Sequence, residues 1–147
     1  MPVTLTLIRG LPGSGKSTMA KYLGVVISTD DFMFDDDGNY DFDFDRLPKC
    51  HENCRYMVEV TIGRGMDAVV ANTFAQEWEI APYREVAKRH GATLRIVDLY
   101  DRGLSDETLA ELNNHGVPQK TIAKMRALWE FDLEGTYSAL YTPAPIG

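Results

Sequence analysis

Cysteine is scarce in this sequence, whose 147 residues include two, Cys50 and Cys54. They lie too close together in the chain for a disulfide between them to stabilise a fold. So few cysteines fit a protein of the reducing cytosol. Long apolar runs are absent, and no basic segment followed by an apolar one stands at the amino terminus. We therefore expect neither a membrane span nor a signal peptide, and we predict a cytoplasmic protein.

Basic residues are outnumbered, because 15 lysines and arginines face 22 aspartates and glutamates and give a net charge of −7. This balance argues against a protein that holds long stretches of nucleic acid electrostatically, but it leaves open a narrow basic pocket for one strand end. The hydrophobic share of 44% is sufficient for one sizeable core. With no internal repeat or linker, the sequence predicts a single domain over residues 1–147.

Short β-branched segments alternate with longer segments of helical spacing. Strands are predicted at residues 3–8, 25–28, 68–71 and 93–99, and helices at 16–23, 48–62, 78–90, 105–113 and 118–131. This alternation predicts an α/β fold, a doubly wound sheet of mainly parallel strands with helices on both faces. Aspartates alternating with aromatic residues predict a hairpin-like excursion at 32–44, and the tail at 135–147, rich in Pro and Gly, is expected to be loosely held.

A glycine-rich motif follows the first predicted strand and opens the first predicted helix. It reads Gly10-Leu11-Pro12-Gly13-Ser14-Gly15-Lys16-Ser17 and matches the P-loop pattern without a mismatch. Glycines let backbone N–H groups turn toward phosphates, and the helix N-terminus adds positive potential. We therefore expect bound ATP, held by Gly10, Gly13, Ser14, Gly15, Lys16, Ser17 and Thr18. Lys16 is expected to reach the β- and γ-phosphates in catalysis, Ser17 to bind Mg²⁺, and Thr18 to pack against or support the loop.

Two aspartates, Asp30 and Asp31, follow the second predicted strand directly. Strand ends line the ligand crevice of a doubly wound sheet, and a kinase acting on a hydroxyl needs a carboxylate there to orient the acceptor and take its proton. Asp30 is our candidate catalytic base, and Asp31 is assigned to the substrate side, either near Mg²⁺ or in a structural role. A helix cap or turn aspartate is the alternative for Asp30.

Asn72 and Thr73 end the third predicted strand, where many P-loop enzymes place a magnesium-binding aspartate. An asparagine there can hydrogen-bond an acceptor or a phosphate but adds no charge. We predict that both residues bind the substrate, with a cap of the strand end as the alternative.

Three aromatic residues, Trp78, Tyr83 and Trp129, could stack on a nucleobase. Such residues more often belong to the core, where they bury large apolar surfaces. The sequence leaves both interpretations open for each of them.

Five stretches of the chain together resemble one family. They are, in order, residues 10–18, Ser28-Thr29-Asp30-Asp31-Phe32, Asp37-Gly38-Asn39-Tyr40, Asn72-Thr73, and Asn113-Asn114-His115-Gly116-Val117-Pro118. This combination is similar to that of the AAA-type P-loop kinases, a family related to the kinase module of phage polynucleotide 5′-hydroxyl kinase and to the polynucleotide kinase-like domain of the NEDD-binding proteins. The resemblance covers residues 3–131 and implies a helical lid.

The resemblance also implies roles for individual residues. Lys16 and Ser17 would bind ATP and Mg²⁺, Asp30 would act as general base toward a 5′-hydroxyl, and Asn72 and Thr73 would line the acceptor pocket. The lid of this family usually carries arginine just before its asparagine, where this chain has Leu112. The phage enzyme has another arginine three residues after the base, where Met33 stands here.

The missing lid arginine matters because such a contact on the transferring phosphate can change the rate by orders of magnitude. Arg102, after the fourth strand, and Arg126, on the last helix, are the candidates to replace it as catalytic residues. We predict an ATP-dependent phosphotransferase whose acceptor is the 5′-hydroxyl end of a polynucleotide or a nucleoside-like hydroxyl. The alternatives are a small-molecule or nucleoside monophosphate kinase, and a nucleotide-binding regulatory protein without transfer activity.

Overall fold

The computed structural model describes residues 3–32, 36–38 and 44–138. The strands are Thr4–Gly10 (β1), Val25–Ile27 (β2), Ala68–Asn72 (β3), Thr93–Tyr100 (β4) and Thr136–Ser138 (β5). The helices are Lys16–Ala20 (α1), Leu47–Gly63 (α2), Glu77–His90 (α3), Asp106–Leu112 (α4) and Gln119–Leu128 (α5), with 3₁₀ turns at Thr29–Phe32 and Phe44–Arg46. Met33, most of the predicted excursion at 32–44 and residues 139–147 lie outside the described residues.

The strands form one parallel sheet in the order β2-β3-β1-β4-β5. This arrangement confirms the predicted α/β fold, with its parallel strands joined by helical crossovers. The fifth strand differs from the expectation of a loosely held tail, because residues 136–138 pair with Ile96–Asp98 of β4. A segment of three residues has no periodicity that a sequence pattern could show, and its pairing uses backbone groups alone.

The pleat of the sheet sorts side chains onto two faces. Leu5 and Leu7 of β1 lie on one face, which we call face A, and pack against apolar side chains of α2 and α3. Ile8 lies on the opposite face and packs in a smaller cluster with Ala20 of α1. Helices therefore cover both faces, as predicted.

The lid comprises α4, the turn at residues 113–118 and α5. A third apolar cluster joins it to the P-loop, since Leu11 of the loop is fully buried with Leu109 of α4 and Ile122 of α5. Ser105 caps the start of α4, where its Oγ accepts from the Thr108 N–H at 3.2 Å. The lid is thus packed onto the P-loop itself.

Two helices, α1 and α5, end three residues earlier than the sequence predicts. The first stops at Ala20, and the next residues form a turn, in which the Leu23 N–H donates to the Ala20 carbonyl at 3.0 Å. The last helix stops at Leu128, because Trp129 has extended backbone dihedrals and turns into the core. Within the described part of the chain, no helix has the length and the apolar content needed to cross a membrane.

Candidate active site

The P-loop connects the carboxyl end of β1 to the start of α1. Gly13 and Gly15 have φ values of +85° and +94°, which residues with a side chain rarely adopt. The Ser14 N–H donates to the Leu11 carbonyl at 3.0 Å and closes the turn. Among the described residues, the buried Ser14 Oγ has no hydrogen-bond partner. This backbone suits a phosphate chain, because its curl directs N–H groups inward at a helix N-terminus.

Close packing explains two glycines of the motif. A Cβ at Gly10 would lie 2.4 Å from Ser14 Oγ, and a Cβ at Gly13 would lie 2.4 Å from the Leu109 carbonyl oxygen. The first contact lies inside the P-loop, and the second lies between the loop and helix α4 of the lid. The glycines therefore serve packing as well as phosphate binding.

Lys16 is the first residue of α1, and its ammonium group folds back over the loop. Its Nζ donates to the carbonyls of Gly10 at 2.8 Å and Leu11 at 3.2 Å. Ser17 and Thr18 follow in the first helical turn and are exposed. An amine and a hydroxyl thus stand side by side at the mouth of the loop, a donor set that fits a nucleotide phosphate and its Mg²⁺ ion.

The 3₁₀ turn at Thr29–Phe32, which contains the backbones of Asp30 and Asp31, is held from two sides. Asn72, at the end of β3, accepts the Thr29 N–H on its Oδ1 at 2.9 Å. On the other side, Thr29 Oγ1 lies 3.2 Å from His51 Nδ1 of α2, and Cys50 Sγ donates to the Phe32 carbonyl at 3.3 Å. Asn72 thereby links the predicted acceptor strand to the turn of the candidate base.

Thr73 contacts the P-loop through its backbone. Its carbonyl accepts the Gly10 N–H at 3.2 Å. The ends of β1 and β3 are therefore tied together, and the predicted pair Asn72 and Thr73 lies between the phosphate loop and the turn at Thr29–Phe32.

A polar row crosses the carboxyl end of face A. Arg9 of β1 is in register with Asn72 of β3 and Asp98 of β4, so the three side chains share one face. The Arg9 side chain is fully buried and donates to the carbonyls of Phe74 at 2.9 Å and Ala75 at 3.0 Å. Its Nη1 lies 3.3 Å from Asp98 Oδ2.

Burial shifts the pKa of both charged members of this row. Desolvation lowers the pKa of Arg9, although Asp98 and nearby glutamates oppose that shift. Desolvation raises the pKa of Asp98, and the charge of Arg9 opposes it. Neither residue could be recognised from the sequence, because an arginine at the end of an apolar strand shows no sign of a partner some ninety residues away.

Arg102 lies beside the P-loop. Its Nη1 is 3.4 Å from the Ser14 carbonyl oxygen, and a Cβ at Gly15 would lie 3.0 Å from the same nitrogen. Arg102 has a φ of +51°, and Tyr100, two residues earlier, has a φ of +46°. Two residues with side chains in the left-handed region form a strained segment, and such strain concentrates at functional sites.

Arg126 connects the lid to the segment that precedes it. Its guanidinium donates to Asp101, to Asp106 at 2.8 Å, to the Tyr100 hydroxyl at 3.1 Å and to the Leu104 carbonyl at 3.1 Å. Desolvation lowers its pKa, but these hydrogen bonds outweigh it and the pKa is raised. Arg126 thus joins α5 to the segment that leads from β4 into α4.

Asn113 organises the turn between the lid helices. Its Nδ2 donates to three carbonyls, among them that of Val117 at 3.0 Å, and its Oδ1 accepts the Val117 N–H at 2.8 Å. Leu112, where the family usually has arginine, is 55% exposed. Asn113 therefore holds the lid turn together through its side chain, and Leu112 before it presents an apolar side chain.

The three candidate stacking residues lie in different environments. Tyr83 is buried and donates its hydroxyl to Cys54 Sγ at 3.2 Å. Trp129 is buried under Arg9, whose guanidinium carbon lies 4.1 Å from the indole centroid. Trp78 is 70% exposed. The first two are core residues, and Trp78 alone of the three presents its ring to solvent.

A family model described as an AAA domain matches residues 5–131. The chain belongs to the AAA domain family. Human NEDD4-binding protein 2 is 35% identical to this AAA domain over 132 residues, which represent 84% of the chain and 7% of that protein. The chain therefore spans a small part of the length of this relative.

Solved structures share the fold of this AAA domain. A chain of the Pnkp1/Rnl/Hen1 RNA repair complex superposes with a TM-score of 0.68 at 18% identity, over 86% of the domain and 43% of that chain. A gluconokinase from Sinorhizobium meliloti 1021 superposes with a TM-score of 0.55 at 16% identity, over 93% of the domain and 81% of that chain. The domain thus has a kinase-type P-loop fold and resembles the polynucleotide kinase module.

Proposed function

We propose that the protein is an ATP-dependent kinase that transfers the γ-phosphoryl group to the 5′-hydroxyl end of a polynucleotide. One observation carries this proposal: Asn72 hydrogen-bonds the turn that contains Asp30, and Thr73 beside it hydrogen-bonds the first glycine of the P-loop. A phosphate site and a candidate base are thus joined through two consecutive residues. That arrangement supports transfer between a nucleotide and an acceptor held side by side.

The P-loop residues supply the nucleotide site. Backbone N–H groups from Gly13 to Ser17 bind phosphate oxygens, and Lys16 exchanges its carbonyl partners for the β- and γ-phosphates when ATP enters. The Ser17 hydroxyl would hold Mg²⁺, which neutralises charge on the phosphates when bound. Asn72, in place of an aspartate, contributes no charge to the ion.

Asp30 serves as the base that orients the acceptor hydroxyl and takes its proton. Hydrogen bonds with β3 and α2 hold the backbone of its turn, so the base is carried on a segment that is already ordered. A carboxylate in this role contributes roughly 10²- to 10⁴-fold to the rate.

Arg102 is the better candidate to replace the missing lid arginine. It already lies within hydrogen-bonding reach of the P-loop, whereas Arg126 would have to break contacts with Asp101 and Asp106 to leave the lid. A guanidinium beside the loop stabilises the charge that develops on the transferring group.

The likeness to the RNA repair complex, together with the sequence resemblance to polynucleotide kinases, favours a nucleic acid end as acceptor. The gluconokinase likeness makes a small hydroxyl acceptor the second candidate. A panel separates them: γ-labelled ATP is offered with 5′-hydroxyl DNA and RNA oligonucleotides, nucleosides, nucleoside monophosphates and gluconate. We expect label on the oligonucleotides, and label confined to a small acceptor would overturn the proposed acceptor class.

A further inference from the structure

Trp78 is an exposed aromatic residue at the functional end of the molecule. It lies in the first turn of α3, which begins five residues after Asn72, the last residue of β3. Strand ends and the loops that follow them form the ligand crevice of such a sheet. A large apolar ring left 70% exposed at that edge is therefore available to a ligand.

Helix packing puts Trp78 at the same end of face A as the turn of the candidate base. Cys54 of α2 contacts Tyr83 of α3, and Glu59, further along α2, contacts His90 at the end of α3. The two helices therefore run parallel, and both begin at the carboxyl ends of the strands. The start of α2 holds the Thr29–Phe32 turn through Cys50 and His51, and Trp78 lies at the start of α3.

A hydrogen bond within the protein restrains the indole. Its Nε1 donates to Gln76 Oε1 at 2.9 Å, so its single polar group has a partner within the protein. The Gln76 N–H in turn donates to Glu79 Oε2 at 3.0 Å, and the preceding loop is anchored by Arg9. A ring that is already ordered loses little conformational entropy when a flat ligand stacks on it.

The charges around Trp78 favour an uncharged partner. Glu77 pairs with Arg84, and its backbone N–H donates to Glu130 Oε1 at 2.6 Å, so the residue before Trp78 brings two carboxylates and one cation to this turn of α3. A phosphate would be repelled there, whereas a neutral nucleobase would not. We propose that Trp78 is the stacking platform for the 5′-terminal nucleobase of the acceptor, an inference that rests on the proposed function.

The test compares two 5′-hydroxyl oligonucleotides that differ only in whether the 5′-terminal nucleotide carries a base. We expect the wild-type protein to prefer the base-bearing acceptor by about tenfold in kcat/KM, the size of one stacking contact. Trp78→Ala should lose this preference and Trp78→Phe should keep most of it, while the KM for ATP stays the same in all three. The preference should not change with salt, because stacking releases no counterions.

Tyr22→Ala is the matched control, because Tyr22 is 78% exposed and lies in the turn before β2, at the amino end of the sheet. It should keep the wild-type preference. A Trp78→Ala protein that still favours the base-bearing acceptor as strongly as the wild type would overturn the proposal, and so would a wild type without any preference.

Tryptophan fluorescence measures stacking without any phosphoryl transfer. It therefore tests this inference even if the proposed function is wrong. The chain has two tryptophans, and Trp129 is buried. If no acceptor is phosphorylated, quenching of the wild-type protein by the base-bearing oligonucleotide, absent in Trp78→Phe, would still support stacking. Equal fluorescence changes in both proteins would overturn it.

Discussion

Arg102 and Arg126 illustrate how much a single arginine depends on its partners. Both follow β4 in the chain, and both were candidates for the absent lid arginine. Arg102 is exposed beside the P-loop, whereas four residues between Tyr100 and Asp106 occupy the guanidinium of Arg126. The two residues should therefore respond differently to truncation.

Arg102→Ala should lower kcat by roughly 10²- to 10³-fold with an unchanged melting temperature, because it removes charge stabilisation from the transferring group. Arg126→Ala should instead lower the melting temperature, since it leaves Asp101 and Asp106 without their shared cation. Steady-state kinetics and thermal unfolding of both variants check this. Unchanged turnover in both would show that neither arginine replaces the lid residue.

The pair of Arg9 and Asp98 predicts a pH-dependent stability. Arg9→Met should cost about 3 kcal/mol near pH 7, because it leaves Asp98 buried without its cation. The pKa of Asp98, already raised by burial, then rises further. A carboxyl with a raised folded-state pKa contributes stability that is present below its unfolded pKa and lost as pH rises through the folded one. The unfolded states of the two proteins titrate alike, so the deficit of the variant should grow as pH rises through the folded-state pKa of Asp98 in the wild type, which burial holds above the ordinary aspartate value.

Urea unfolding of wild type and Arg9→Met between pH 4 and pH 8 measures this deficit. The double variant Arg9→Met/Asp98→Asn provides the control, since asparagine does not titrate. Measured against Asp98→Asn, its deficit should stay constant with pH, because neither of these proteins carries the Asp98 carboxyl. A single-variant deficit that is equally constant would mean that Asp98 is not the group that Arg9 compensates.

At the scale of elements, the 3₁₀ turn of the candidate base depends on a neighbouring strand. Asn72→Ala removes the oxygen that accepts the Thr29 N–H. We expect kcat to fall roughly ten- to a hundredfold while the KM for ATP is unchanged, because a displaced base affects the reaction and not nucleotide binding. Asn72→Asp, which keeps an accepting oxygen, should lose less. Equal kcat values for Asn72→Ala and wild type would show that the hydrogen bond between Asn72 and this turn does not contribute to the reaction.

The P-loop in turn depends on helix α4, against which it packs. Gly13→Ala should weaken ATP binding and lower the melting temperature, because its Cβ would meet the Leu109 carbonyl oxygen at 2.4 Å. Gly65→Ala is the matched control: its φ of +80° is equally unfavourable for alanine, but a Cβ there meets nothing within 4 Å. Calorimetric ATP titration compares the two. Thermal unfolding compares their stability, and an equal fall in melting temperature in both variants would show that backbone strain, and not the lid contact, is what alanine introduces.

At the scale of the whole molecule, the features that could be predicted from the sequence are those that local patterns determine. The P-loop, the first four strands and the helices follow from spacing and from residues such as Gly15 and Ser105 that begin a helix. The row of Asn72, Arg9 and Asp98 could not be predicted, because its members come from three strands and only the strand order makes them neighbours. The same holds for β5, which is too short to carry a pattern.

Arg102 shows the same limit for the candidate site. Its place in the chain suggested that it lies near the lid, but only the left-handed backbone at Tyr100 and Arg102 brings its side chain against the P-loop. Asn72 is the converse case. Its position at a strand end was predictable, whereas its bond to Thr29 depends on how β2 and β3 align.

The central claim is that the P-loop and Asp30 act together in phosphoryl transfer. The most direct test is single-turnover transfer from γ-labelled ATP to a 5′-hydroxyl oligonucleotide with Mg²⁺, using wild type, Lys16→Ala and Asp30→Asn, with ATP affinity measured for each. We predict label at the 5′ end with the wild type, and no transfer with Lys16→Ala. Asp30→Asn should bind ATP as the wild type does and transfer at least about a hundredfold more slowly. Transfer by Asp30→Asn at the wild-type rate would contradict the account.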